Sequence, residues 1–354
     1  MENDGGLSTP HTLPVLSHVS SLYCDSLKRN CSNLQLPLSY TFMAINVATI
    51  LKGPALVTFD NATFYSKGDI TLSTQHQTMN IEVDRYGKVD ERVLDTEIKV
   101  TFTPAGEWEY LAVLFSHVTR AIGDFITGTD KSLVIHTFAG TKLTLHNAAV
   151  TKMPNIRGSS TETLLGEVEF TSFVKNNTNR ETAGSRWSIA TEALSANEFD
   201  PEAIKVQSYK MSWVGDPEDD AHWDEFSTKD GFTLEWTLGL TPVTTDRDGI
   251  VTQQLSNLDV SVKAQPLGIS ETQLMEKMLI HSARGRSLST NSPDLVITDD
   301  SSVHIVVYGA ALKSSPQAFG RTSLRIGELE WIATRKFSET GVPIPLAYVG
   351  TVAP

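Results

Sequence analysis

Apolar positions recur mainly at every second residue along most of this chain, the period of a strand with one face turned to a core. Residues 69–83 follow it in part, at Ile70 and Leu72 and then at Met79, Ile81 and Val83, and 89–102 return with Val93, Thr96, Ile98, Val100 and Phe102. Between them DRYG (84–87) has the composition of a tight turn, with Gly87 supplying a positive φ. The pattern predicts a long hairpin too polar to be core on both faces, so one face meets solvent or a partner. A second such hairpin is predicted over 232–244, 246–249 and 250–262. After Gly106 and Gly268 the period lengthens to that of a helix. Trp108, Leu111, Leu114, Phe115 and Val118 share one face, and Leu274, Met275, Met278 and Leu279 another, the latter behind Ser270 as N-cap and Glu271. Strands resume at 133–138, 142–150 and 166–174, and again at 295–298, 303–312 and 327–335.

The two series match in register. FYSKGDITL (64–72) aligns with FSTKDGFTL (226–234), and the same offset aligns Gly87 with Gly249, Val100 with Val262 and Pro104 with Pro266. It also relates LVI (133–135) to LVI (295–297), Ala148-Ala149 to Ala310-Ala311, Pro154 to Pro316 and Gly158 to Gly320. One residue is then lost, and GEVEF (166–170) meets GELEW (327–331). A single register held through so many positions points to an internal repeat. The fold expected is mainly β (α+β): two tandem copies of a β-sandwich or partly closed barrel, each with a long hairpin and one flanking helix. The divisions expected are 1–42, a disordered arm or mis-called start ahead of Met43; 43–185, the first copy; 186–200, a linker; and 201–354, the second copy.

Composition narrows the function classes. The 354 residues are 40% hydrophobic and 20% charged, a globular composition long enough to bury two cores. With 29 Lys+Arg against 42 Asp+Glu the net charge is −13, which argues against a nucleic-acid clamp and against docking on anionic membranes. Cys24 and Cys31 are the only cysteines, so neither a disulfide scaffold nor a cysteine zinc site is expected in the main body. No apolar run approaches the ~20 residues that span a bilayer, and 1–10 carry no basic region of a secretory leader.

VTFTPAG (100–106) followed by an amphipathic helix, then LVI (133–135), NAAVTKMP (147–154) and LLGEVEF (164–170), resembles the siphophage tail tube (major tail) proteins. The resemblance covers most of the first copy, and a weaker form covers the second. It implies a non-enzymatic structural subunit of a bacteriophage tail tube, assembled in the bacterial host cytoplasm and resident in the virion tail. Subunits of that family form rings, their long hairpins line a lumen, and the rings stack. With two domains per chain, a homotrimer would supply a pseudo-hexameric ring around a DNA conduit. The partners implied are the chain itself and the tape-measure, terminator and baseplate proteins, with DNA passing through without specific binding and no membrane involved. Carboxylates expected on the lumen-facing hairpins are Glu82, Asp84, Asp90, Glu91, Asp95, Asp246 and Asp248; Glu167, Glu169, Glu328 and Glu330 are expected on an inter-subunit strand. Two alternatives stand beside this reading: the tube protein of a contractile or secretion system, and a two-domain β-sandwich module that binds glycans through exposed aromatic residues.

Other chemistry weighs less. No nucleophile elbow, phosphate loop, dinucleotide fingerprint or zincin motif occurs, and no cofactor or catalytic residue is expected. His136 and His146 could meet on neighbouring strands as a metal pair, but polar strand residues are the better reading. The acidic run 216–225 lacks the spacing of a calcium loop and reads as a solvated or interface loop, with 54–63 as its counterpart in the first copy.

Overall fold

The computed structural model describes residues 55–106, 108–127, 130–159, 163–174, 185–192, 209–214, 223–245, 249–267, 275, 292–299, 303–314, 317–319, 324–338 and 340–351. All fall within one compact unit, Leu51–Pro354. The arm expected over 1–42, the hairpin tip with Asp246 and Asp248, the second helix apart from Met275 and most of the acidic run lie outside the described residues.

The chain is mainly β. Its first half carries β1 (Ala55–Phe59), β2 (Ala62–Ser66), β3 (Thr71–Val83), β4 (Gly87–Phe102) and β5 (Pro104–Ala105). After them come a helical turn α1 (Trp108–Leu111) and a 3-10 turn (Ala112–Phe115). Then follow β6 (Leu133–Thr137), β7 (Thr141–Leu145), β8 (Ala148–Lys152), β9 (Ile156–Gly158), β10 (Thr163–Leu165), β11 (Val168–Ser172) and β12 (Trp187–Thr191). The second half carries β13 (Tyr209–Val214), β14 (Trp223–Thr245), β15 (Gly249–Leu267), β16 (Asp294–Asp299) and β17 (His304–Val307). It ends with β18 (Ala310–Ser314), β19 (Gln317–Phe319), β20 (Leu324–Ile326), β21 (Leu329–Ala333) and β22 (Ala347–Gly350).

In the first half a sheet of order β12-β7-β6-β1-β2-β5 faces one of order β3-β4-β11-β8. Phe59 of β1 meets Phe170 of β11 edge-to-face at 4.8 Å, and Phe102 of β4 stacks on Phe170 at 6.0 Å. The second half repeats these connections. β22-β17-β16-β13-β14 follows the order of the first sheet, and β14-β15-β21-β18 that of the second. Leu72 pairs with Val100 as Leu234 pairs with Val262, and Tyr65 with Ala105 as Ser227 with Leu267, all at the offset of the sequence repeat. Trp213 and Trp331 occupy the places of Phe59 and Phe170 and again meet edge-to-face, at 6.2 Å.

Several expectations change. Residues 142–150 and 303–312 are each two strands, broken at Asn147 (φ 44) and Gly309 (φ 56); unbroken apolar alternation hides both turns. Trp187–Thr191, expected in a linker, is a strand paired with β7. The single lost residue falls ahead of β19 rather than after Gly320, because Ile156 pairs with Leu165 and Gln317 with Ile326. Phe59 and Trp213, which pair with Leu133 and Leu295, stand closer in sequence than the repeat offset requires. The acidic run therefore falls mainly in the connection from β13 to β14, which is longer than the Asp60–Asn61 connection from β1 to β2, and it does not align with 54–63 as a whole. The flanking helix is shorter than its pattern, one α turn running into one 3-10 turn, with no side-chain cap at Leu111. Burial of Leu111, Leu114, Phe115 and Val118 holds it in place.

One continuous core, rather than two, joins the halves. β9 of the first half pairs with β14 of the second, with Ile156 opposite Leu234, Arg157 opposite Thr233 and Gly158 opposite Phe232. Trp236 Nε1 donates to the Pro154 carbonyl at 3.0 Å, and its ring packs on Phe115 at 5.7 Å.

Candidate functional site

The two hairpins share a register and differ in their surroundings. Every residue from Leu72 to Asn80 and from Val83 to Leu94 is exposed. At ~3.3 Å per residue, the 13 residues of β3 extend about 40 Å. The exposed set includes Leu72, Met79, Val83, Val89, Val93 and Leu94, each 47–57% accessible. A two-stranded ribbon with both faces in water is marginal by itself, and so many apolar side chains on one mark a contact surface.

The β14–β15 hairpin is covered on both edges. β9 takes the edge of β14, and residues 123–126 take that of β15. There Gly123 N–H donates to Leu255 O at 2.8 Å, Leu255 N–H to Asp124 O at 2.9 Å and Ile126 N–H to Gln253 O at 2.9 Å. Both covering segments belong to the first half.

The structure divides the carboxylates expected in a lumen. Glu82, Asp84, Asp90 and Glu91 are exposed at or near the tip of the first hairpin. Glu91 accepts from Thr78 Oγ1 and pairs with Lys88 Nζ at 2.8 Å, and these contacts, the lysine's foremost, hold its carboxyl below the usual carboxylate range. Asp95 does not belong with them. It is 7% exposed, and its Oδ1 accepts from Arg186 Nη2 at 3.0 Å and its Oδ2 from Ile250 N–H at 3.2 Å. Arg186 Nη1 donates to Ser172 O at 3.1 Å, and Ser172 Oγ to the carbonyl of Arg186 at 2.8 Å. This buried knot ties β4, β11 and β15 together. A charge within an alternating strand reads as solvent-facing; a partner far away in sequence reverses that.

The strands that carry Glu169 and Glu330, with Glu167 and Glu328 just ahead of them, are interior to their sheets. β11 lies between β4 and β8, and β21 between β15 and β18, so both strands have their edges paired within the chain. Glu167 pairs with Lys152 at 3.1 Å, Glu169 lies 3.6 Å from Lys99, and Glu330 pairs with Lys313 at 3.1 Å. Glu328, just ahead of β21, is exposed.

His136 is on β6 and donates from Nε2 to the Glu192 carbonyl at 2.7 Å, while His146 sits in the turn after β7. Among the described residues no cluster of three or more His, Cys, Asp or Glu could hold a metal ion. Trp213, Trp223, Trp236 and Trp331 are 9% exposed or less and belong to the core, whereas Trp187 is 43% exposed.

No pattern in the sequence marks His117. It lies beside a cavity of about 220 Å³ lined by Phe59, Arg120, Ile126, Lys131 and Ala149 among others. Its Nε2 donates to Val150 O at 2.6 Å, and Nδ1 is buried without a partner. Burial outweighs the hydrogen bond and lowers its pKa from 6.5 to about 4. The unfolded chain therefore takes up a proton between those values that the folded chain refuses. Full stability is present above pH 6.5, and about 3 kcal/mol is lost as pH falls towards 4. Denaturant titrations at pH 7 and 4.5 should show this loss, and His117→Phe should remove most of it.

Compared with known proteins, the chain matches no family model and no curated relative.

Proposed function

We propose that this chain is a structural subunit of a bacteriophage tail tube, built from two tandem copies of one tube domain. Three chains form a pseudo-hexameric ring, and stacked rings enclose a DNA conduit. The observation that carries this is the unequal treatment of two equivalent hairpins. One is covered by the other half of its own chain. The other projects uncovered, with apolar side chains on a ribbon that needs a neighbour. The recurrence of strand order and pairing register in both halves supports two copies, which can reuse one pair of complementary surfaces. Head-to-tail contacts of that kind build rings or filaments.

In this reading the subunit does no chemistry. Its hairpins wall the lumen, and exposed carboxylates such as Glu82, Asp84 and Asp90 keep phosphates from adhering in transit. Tape-measure, terminator and baseplate proteins are the partners that such a tube would meet. A tube of a contractile or secretion system would share these features, with no separate observation in its favour.

The test is charge reversal. Glu82→Lys, Asp84→Lys and Asp90→Lys together should slow DNA ejection while leaving tube assembly intact. Ejection at the original rate would count against a lumen position.

A further inference from the structure

The edges left bare in the first half are those that the second half has covered. Ile156 of β9 lies opposite Leu234, which is 0% exposed; Leu72, the equivalent of Leu234 in the first half, is 48% exposed. Leu255, beside the 123–126 segment, is 0% exposed; Val93, its equivalent, is 57% exposed. Leu72 pairs with Val100, which is fully buried, so its side chain stands at the open rim of the first core. β3 is the end strand of its sheet, and no described strand pairs with its outer edge.

A donor for that edge exists in the same chain. The β9–β10 hairpin has its counterpart in β19–β20, with the same three-pair register. β9 pairs with β10 and also with β14, whereas β19 pairs among the described residues with β20 alone. The chain thus contains one donor hairpin docked on one acceptor edge, a second donor and a second acceptor.

We propose that β19 of one chain adds to the outer edge of β3 of a second copy, antiparallel, with Ala318 opposite Thr71. The pairing repeats that of Arg157 with Thr233 inside each chain. This deepens the assembly reading above and rests on it, since it names the contact by which successive chains join. An unpaired edge strand beside apolar rim residues invites addition of a strand, with backbone hydrogen bonds giving affinity. Donor and acceptor lie in opposite halves, so the contact is heterologous and every chain uses both surfaces once. The alternation runs from half to half without a break: first half onto second within a chain, second half onto first between chains.

Disulfide trapping tests the register. In a Cys24→Ser, Cys31→Ser background, Thr71→Cys and Ala318→Cys chains are made separately, mixed, oxidised mildly and run on a non-reducing gel. Directly opposed strand residues lie within about 5.5 Å between Cα atoms, inside disulfide range. A linked pair should form in the mixture, be absent from either chain alone, and yield the 71–318 peptide by mass spectrometry. Arg157→Cys with Thr233→Cys should close within one chain, which establishes that the template geometry supports the bond. Mass photometry on the same samples separates the failures. Oligomers without the 71–318 bond, where the internal control closes, overturn this interface and leave the tube reading standing. Monomers throughout overturn both. Hydrogen exchange gives a readout without cysteines: β3 near Thr71 should become protected on assembly, and unchanged exchange in assembled protein would overturn the proposal.

Discussion

Arg186→Ala should destabilise the folded chain by about 3–5 kcal/mol, because it leaves the Asp95 carboxylate buried without its counter-charge. Both side chains are about 10% exposed, so water cannot take over the lost interaction. Asp95 would keep the Thr96 and Ile250 N–H groups, which are neutral donors against a full charge. The guanidinium also serves the Ser172 carbonyl, so three strands from the two halves lose a common tie. Asp95→Leu should cost a similar amount by stranding the arginine. The double variant Asp95→Leu, Arg186→Met should cost less than either change alone, since no unpaired charge then remains. Denaturant titration of the four proteins measures this. Losses below about 1 kcal/mol in both single variants, the range of solvent-exposed pairs, would mean that the knot is solvated and ties nothing.

Gly231→Ala should be the most damaging small substitution in the seam between the halves. Gly231 has φ +85, and a Cβ there would lie 1.8 Å from the Gly158 carbonyl oxygen. That oxygen is backbone within β9, so relief requires β9 to leave β14. A loss on the order of 3 kcal/mol combines the strained backbone with the broken pairing. Gly68 makes the control. Its φ is +101, but no atom lies within 4 Å of its added Cβ. Gly68→Ala should therefore cost only backbone strain, about 1–2 kcal/mol. Equal losses at the two sites would remove close approach as the cause.

Much of the fold is legible in the sequence because its turns and strand cores carry their own chemistry. The glycines at 87 and 249 mark both hairpin turns, and the alternation through 89–102 and 250–262 places Val100 and Val262 in the core. What stays hidden depends on partners distant in sequence or on breaks that composition does not announce. Asn147 adopts a positive φ within a run that reads as one strand. β12 reads as linker because all five of its residues are exposed and lack a core-facing period. β1 and β13 escape the repeat because the longer acidic connection breaks its spacing, and because phenylalanine and tryptophan fill the same place. Asp95 and His117 take their character from contacts across the fold: one gains a buried arginine, the other a buried carbonyl. The inter-subunit role expected of Glu167, Glu169, Glu328 and Glu330 rests on their recurrence, which paired interior strands explain equally well.

In the proposed assembly the chain carries two equivalent domains, and another copy completes its uncovered hairpin. Electron microscopy of the purified full-length protein over a range of concentrations, with mass photometry of the same samples, tests it most directly. Particles of three chains with six lobes, free or stacked into tubes, are expected. A monomer at every concentration, or rings whose lobes do not number twice their chains, would contradict that assembly.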